Sequence, residues 1–451
     1  MSAPHQKNRA EIRPFEVTNK LVFSIALPMT LAFLTTPLLG LVDVAVVGQL
    51  GSAALLGGLA ISVIIFDLIF GTFNFLRSAT TGLVAQSFGR GDEMEQQATF
   101  WRSSAIAIVL GIVLIIFQNA ILTLGLVVMD ASANVSDAAT RYFDIRILSA
   151  PATLMNYAVL GYVLGQGKGR LGLFLQLVLY VTNIALSIFL GLNLGWGLEG
   201  VAWATVIAEY FGVLIGLVVV VSKFLPEAKP SFLRIIDGQE FRKLMSLNGD
   251  IMIRSFALVT AFAWFTRQGG QFGDQTLAAN AILINFVMIA GYFLDGIATA
   301  AEQLAGRSIG ANYKPAFIKA IKLTVIWSFI LAGVLFVFFW IFGNVLIDII
   351  TTEEDVRRIA KTYYLWAALI AFTGVVAFQM DGVYIGATWS QDMRNMMLLS
   401  LAVFIISSLI LATYWENHGL WVALNIFMGI RGISLTMILP RKIKSAYQNV
   451  A

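Results

Sequence analysis

Twelve stretches of this sequence are long and apolar enough to cross a bilayer, and nothing else in it limits the fold as tightly. A spanning helix needs about 20 predominantly apolar residues. The stretches are 20–47, 54–83, 99–129, 138–165, 170–193, 197–222, 243–267, 276–305, 318–349, 361–387, 393–413 and 417–439. Hydrocarbon offers no water to unpaired backbone groups, so segments of this length must satisfy their own hydrogen bonds as helices. Composition agrees: charged residues make up 12% of the chain, against roughly 25% in soluble domains. Several stretches exceed the minimum length, which predicts tilted or kinked helices. The expected class is an all-α membrane protein.

Residues 1–19 are polar and contain Lys7, Arg9 and Arg13. The apolar run that follows is too long for a signal-peptide core, so it is read as a retained first helix. Pro28 and Pro37 lie inside that helix. Each removes a backbone donor and invites bending there. Basic residues of short loops gather on the cytoplasmic side. One set includes Lys7, Arg9, Arg13, Arg90, Lys168, Arg170, Lys229, Arg234, Arg242 and Lys243; the opposite set is chiefly Arg141, Arg146, Arg267, Arg357, Arg358 and Lys361. The first set marks the cytoplasm and places both termini there. The chain has no Cys, and its two His, His5 and His418, lack ligand spacing. Neither a metal nor a cofactor is expected. The net charge of +4 is loop charge of this kind and calls for no nucleic-acid partner.

The two halves resemble each other in register. "GQLGSAALLG" at 48–57 matches "GQFGDQTLAA" at 270–279, "VAQSFGRGD" at 84–92 matches "AGRSIGANY" at 305–313, and "LGYVLGQG" at 160–167 matches "DGVYIGAT" at 381–388. "GLEGVA" at 197–202 matches "HGLWVA" at 418–423 with a one-residue slip. Six spans per half put both halves in one orientation, so the repeats should be parallel, about a pseudo-twofold axis along the membrane normal. The predicted organisation is a cytoplasmic tail at 1–19, a first lobe at 20–222, a cytoplasmic linker at 223–242, a second lobe at 243–440 and a cytoplasmic tail at 441–451. Two-lobed designs of this kind hold their substrate between lobes and work by alternating access.

The segments "ALPMTLAFLTTPLLGLVDVAVVGQLG", "LRSATTGLVAQSFGRGD", "LAANAILINFVMIAGYFLDGIATAAEQLAGRSIGA" and "DGVYIGATWSQDMRNMM" resemble the multidrug and toxic compound extrusion (MATE) family, in its DinF branch. The resemblance runs from about residue 20 to 440. It implies two six-helix lobes and a monomer in the cell's inner membrane. It also implies export of bulky, often cationic, amphipathic drugs or metabolites against an inward flow of protons or sodium. The family's first-helix Asp and Pro fall on Asp43 and Pro28. Its first-lobe polar network falls on Asn156, Asn183 and Thr205. The fifth-helix Asp of that network is missing, because "NIALS" places Ser187 there. A two-carboxylate cation site is thereby weakened, and proton coupling is favoured over sodium.

Asp43 is also conspicuous without the family, as the only charge in 21–47. Charges deep in a membrane face a protein interior or a water-filled cavity. A carboxylate that gains and loses a proton as its solvent access changes can couple proton flow to a conformational switch. The plainer alternative is an Asp that bonds backbone at the Pro37 kink or reaches the outer interface. A second polar site is expected from Asp295, Glu302, Gln379 and Asp381, with interhelical bonding to Asn280 and Asn285 as the structural alternative. Asp67 and Arg77 are too far apart on one helix to pair, so each needs a partner on another helix. Arg431 is expected to reach toward the inner interface by snorkelling. Met29, Phe33, Phe66, Phe70, Met155 and Tyr157 could line a cavity for flat organic cations, although such residues are more often plain core.

An enzyme finds no support. There is no H-E-x-x-H, no G-x-S-x-G and no thiol nucleophile, and "LGQGKGR" at 164–170 lacks the spacing and Ser/Thr of a P-loop. The expected function is a proton-coupled multidrug antiporter with Asp43 as the protonation site. The alternatives are a sodium-coupled exporter of the same family and a lipid-linked precursor flippase of related architecture. The flippase would call for a strongly cationic cavity.

Overall fold

The computed structural model describes residues 12–130 and 132–448, and all their regular structure is helical. Lys7 and Arg9, with most of the predicted N-terminal tail, and residues 449–451 lie outside the described residues. In chain order the helices of the first half are α1 (Asn19–Gly48), α2 (Ala53–Phe73), α3 (Phe75–Arg90), α4 (Glu93–Ile116), α5 (Gln118–Met129), α6 (Ala133–Arg146), α7 (Ala150–Gly165), α8 (Gly169–Ile188) and α9 (Gly197–Val221). There follow the four-residue α10 (Phe232–Ile235), α11 (Gly238–Gly270), α12 (Asp274–Gly310), α13 (Lys314–Ile350), α14 (Glu354–Thr373), α15 (Val375–Gly386) and α16 (Ser390–Ala446).

Ten helical stretches are long and apolar enough to cross a membrane, counting α2 with α3, α6 with α7 and α14 with α15 as one stretch each. Two more spans complete the predicted twelve. The first is α11, whose charges Asp250, Arg254 and Arg267 dilute its hydropathy. The second arises because α16 is two helices that meet at Glu416, which has non-helical φ 48° and ψ −130°. Large apolar side chains such as Val127, Ile349 and Met437 point outward and are more than 70% exposed, as lipid-facing residues should be. The chain is an all-α, multi-pass membrane protein built from two repeats of six spans.

The backbone carries the repeat independently of the side chains. Gly51 and Gly273, Gly91 and Asn312, Gly167 and Thr388, and Gly195 and Glu416 all have positive φ. Each pair is separated by 221 or 222 residues, the offset of the sequence matches. Turns and kinks therefore recur at equivalent points of the two halves, even where the second half has lost the glycine.

By packing, the chain forms two compact units. One comprises the described residues up to Leu27, Ala85–Asp92 and Phe256 onward; the other comprises Pro28–Val84 and Glu93–Ser255. The first division falls inside α1, at Pro28. The first unit has a large apolar core in which Phe286 stacks on Phe339 at 5.0 Å and Phe265 meets Trp421 edge-on at 4.9 Å. Within it, Gly89 lies against the Arg307 carbonyl and Gly310 against the Gln86 carbonyl, closer than any Cβ could stand.

In the second unit, glycines bring helices together around the polar side chains. A Cβ at Gly58 would meet Ala138 at 2.6 Å, so α2 packs tightly along α6, and Ser62 Oγ donates to the Ala139 carbonyl at 3.2 Å. One turn further on, Phe66 stacks on Phe143 at 4.8 Å. A five-residue π-helix, Phe189–Asn193, follows α8, and its Gly191 lets Val46 of α1 approach to where a Cβ would stand 2.8 Å away. That contact sets Asp43, one turn before Val46, beside Ser187, one turn before Gly191. The predicted linker 223–242 is itself ordered. Buried Arg102 donates to the Ile235 carbonyl at 3.0 Å and the Arg234 carbonyl at 2.6 Å, and pairs with Glu95, which also holds Arg234 at 3.1 Å.

Candidate functional site

Asp43 lies on the second unit's side of α1 and is 6% exposed. Its Oδ1 accepts from Ser187 Oγ at 3.0 Å. The same Ser187 hydroxyl is 3.2 Å from Asn183 Oδ1, and Asn183 Nδ2 donates to Thr205 Oγ1 at 3.0 Å. Ser187 and Asn183 sit one turn apart on α8, which places both on one face. Thr205 comes from α9 and also donates to the Val201 carbonyl at 3.3 Å. The result is a continuous chain, Asp43–Ser187–Asn183–Thr205, sealed from bulk solvent. Tyr142 of α6 extends it: the phenol meets Thr205 and accepts from Arg146 Nη1 at 3.0 Å.

A hydroxyl has one proton to give. When Asp43 is ionised, the Ser187 proton is drawn to the carboxylate, and Asn183 Oδ1 goes without that donor. When Asp43 carries a proton, it can donate to Ser187 Oγ, and the Ser187 proton is released to Asn183. One added proton therefore completes the chain in a single direction.

The structure brings Asp43, Asn183 and Thr205 together and places Asn156 elsewhere. Asn156 Nδ2 donates to the side chain of Glu209 at 2.7 Å and to its backbone carbonyl at 3.0 Å. Glu209 is the only charge in 200–222; the rule that singles out Asp43 would have found it. Arg146 is a correction. It is not an outer-loop residue but ends α6, deep in the unit, with its guanidinium 4.7 Å over the Phe66 ring. It keeps partial solvent access. Its charge acts on Asp43 and on Asp67 of α2 from beyond ion-pair distance. Arg77 donates to Asn74 Oδ1 at 3.0 Å and Ser78 Oγ at 3.2 Å.

Among the aromatic and Met candidates, Met29 and Phe66 are fully buried, and Phe70 and Met155 are nearly so. Met29 packs with Ala32, Leu160 and Leu164, and Phe33 lies against that cluster. Tyr157 donates to the Phe70 carbonyl at 3.3 Å. Pro28 and Pro37 both lie within the continuous α1, where each leaves the carbonyl four residues earlier without its helical donor.

In the first unit, Asp381 is buried and paired with Arg431, which is 2% exposed. Arg431 does not snorkel: an ion pair inside the bundle and the Phe378 ring, 5.4 Å away, hold it there. Glu302 is 3% exposed, Asp295 is exposed, and Gln379 donates to the Leu294 carbonyl at 3.4 Å. Asn280 bonds Asn417 and the Trp421 indole, whereas Asn285 bonds only back to the Ala281 carbonyl of its own helix.

Twelve spans in two repeats, with ionisable side chains buried inside the bundle, are the architecture of a membrane transporter. The MatE family model matches the chain twice, over residues 28–189 and 251–412, one match in each half. The chain is 35% identical to the DNA damage-inducible protein F of Escherichia coli, across 94% of this chain and 92% of that one. It is 28% identical to the chloroplastic protein DETOXIFICATION 44 of Arabidopsis thaliana, across 91% and 80%. A solved MATE structure in the bent conformation superposes with a TM-score of 0.87 at 16% identity, covering 96% of this chain and 97% of that one. The bent form of the Vibrio cholerae transporter VcmN gives 0.86 at 19%, covering 95% and 98%. The chain belongs to the MATE family of multidrug efflux transporters.

Proposed function

We propose that this transporter exports amphipathic organic cations in exchange for protons by alternating access, with Asp43 as the protonation site. The observation that carries this reading is the shared Ser187 hydroxyl. It stands where a second carboxylate would help hold a metal cation, and its one proton cannot serve Asp43 and Asn183 together. A proton on Asp43 relieves that shortage. Sodium, a hard cation that takes several oxygen ligands, would find one carboxylate at that point. Cationic cargo is supported by the charges grouped around this network, where Asp43, Asp67 and Glu209 outnumber Arg146 and Arg77; a flippase for anionic lipid precursors would call for the reverse. The same reading places the lobes at 20–222 and 243–440, joined by 223–242, in a monomer of the inner membrane with both termini in the cytoplasm. Pro28 and Pro37 give α1 room to bend as Asp43 changes charge.

Asp43→Asn cannot bind or release the proton and presents an amide in its place. In proteoliposomes it is expected to insert normally and to lose nearly all dye efflux driven by a pH gradient. Substrate binding by this variant should also lose most of its pH dependence. Near wild-type, pH-driven efflux by Asp43→Asn would make the carboxylate structural. Wild-type efflux that needs sodium and ignores the pH gradient would restore the sodium reading.

A further inference from the structure

Arg146 is a charge the transport cycle described above does not use. It sits at the end of α6, where Phe66, Phe143 and Tyr142 wall it in. Only its Nη1 has a protein partner of stated geometry, the Tyr142 phenol, and its buried Nε has none. Among the described residues no carboxylate lies within ion-pair distance of it. A guanidinium left without a direct counter-ion in a membrane interior needs a compensating field. Here Asp43 and Asp67 supply it, and its own field also reaches Glu209. The other charge in this region is Arg77, near Tyr157; the tyrosines are neutral at ordinary pH. Three carboxylates facing two guanidiniums leave one net negative charge when all are ionised.

We propose that Arg146 sets the charge of the exchange: it cancels one of the carboxylates that face it, so that this site takes up one positive charge at a time, either a proton or a monocationic cargo. The inference rests on the reading of this network as the coupling site. Because the guanidinium touches the network through Tyr142 and not through a carboxylate, Asp43 stays free to take a proton, which brings the site from one net negative charge to none. Without Arg146 the site would be doubly negative. It would then prefer a dication, or two protons, over one.

The test compares binding of tetraphenylphosphonium, a monocation, with that of a bis-quaternary ammonium dication to the purified full-length protein at neutral pH. Arg146→Gln should shift the affinity ratio toward the dication by about tenfold. Arg146→Lys keeps the charge and should keep the wild-type ratio. Asp67→Asn, which neutralises the site without touching Arg146, should weaken tetraphenylphosphonium by about tenfold and keeps the test open if Arg146→Gln does not fold. An unchanged ratio in Arg146→Gln, an equal shift in Arg146→Lys, or unaltered monocation binding in Asp67→Asn would each overturn the proposal. Failure of the coupling reading would show separately, as pH-driven efflux by Asp43→Asn with the Arg146→Gln shift intact.

Discussion

Glu416 has φ 48° and ψ −130°, a backbone region that an L side chain rarely enters. Its repeat partner is Gly195, at φ +70°, where the absent Cβ removes the clash. Glu416 is exposed, so what the substitution changes is mainly the backbone. Glu416→Gly should raise the stability of the purified protein by about 1 kcal/mol, the strain relieved less the added freedom of the unfolded chain. Glu416→Ala keeps the Cβ and should give no such gain; equal thermal shifts for the two would show that the conformation is unstrained. Residues differ in how far their surroundings can be read from the chain alone. Asp43 stands out as a lone charge in an apolar run, and Glu209 stands out for the same reason. The Asp43–Ser187 bond does not, because it depends on Gly191 admitting Val46 across two helices. The burial of Arg146 does not stand out either: near a span end, sequence does not tell a loop arginine from one turned into the bundle.

Among the elements, α11 owes its start to Asp237. The Asp237 Oδ1 accepts from the backbone of Gln239 at 2.8 Å and Glu240 at 3.2 Å, satisfying donors that a helix start leaves open. Those two bonds hold the Asp237 carboxyl below the usual carboxylate range. A depressed folded pKa means that the stabilisation is present above the unfolded value and is lost as pH falls through the folded one. Asp237→Ala should therefore lower the melting temperature at neutral pH. The difference from wild type should shrink on acidification below the normal aspartate range. A gap that stays constant into strong acid would show that the cap contributes nothing. The span of α11 was legible despite its charges, because apolar residues still dominate 243–267. Its earlier start at Gly238, and the ordered turn of α10 before it, were not. The start depends on the Asp237 cap, and the α10 turn depends on residues more than a hundred positions away: Arg102, which binds the backbone carbonyls of 234 and 235, and Glu95, which holds the Arg234 side chain.

For the whole molecule, topology is the property most open to direct measurement. The chain has no native Cys, so a single cysteine reports cleanly. Ser231→Cys, in the exposed segment before α10, should react with a membrane-impermeant maleimide only after cells are opened. Labelling from outside intact cells would reverse the assigned orientation. The twelve spans and the twofold repeat were readable from hydropathy and from four short matches. The packing division at Pro28 was not, since a proline marks where a helix can yield and not which neighbours each side of it finds. The crossing of 85–92 with 305–313 carries a consequence of its own. Gln86 and Arg307 are equivalent positions, and so are Gly89 and Gly310. Gly89 rests on Arg307 while Gly310 rests on Gln86, so residue i meets j and j meets i. That is the signature of an isologous interface, the kind that joins two identical subunits about a dyad. The crossing thus has the symmetry of a homodimer contact within a single chain, and a side chain added at either glycine would break one of its two matched sides.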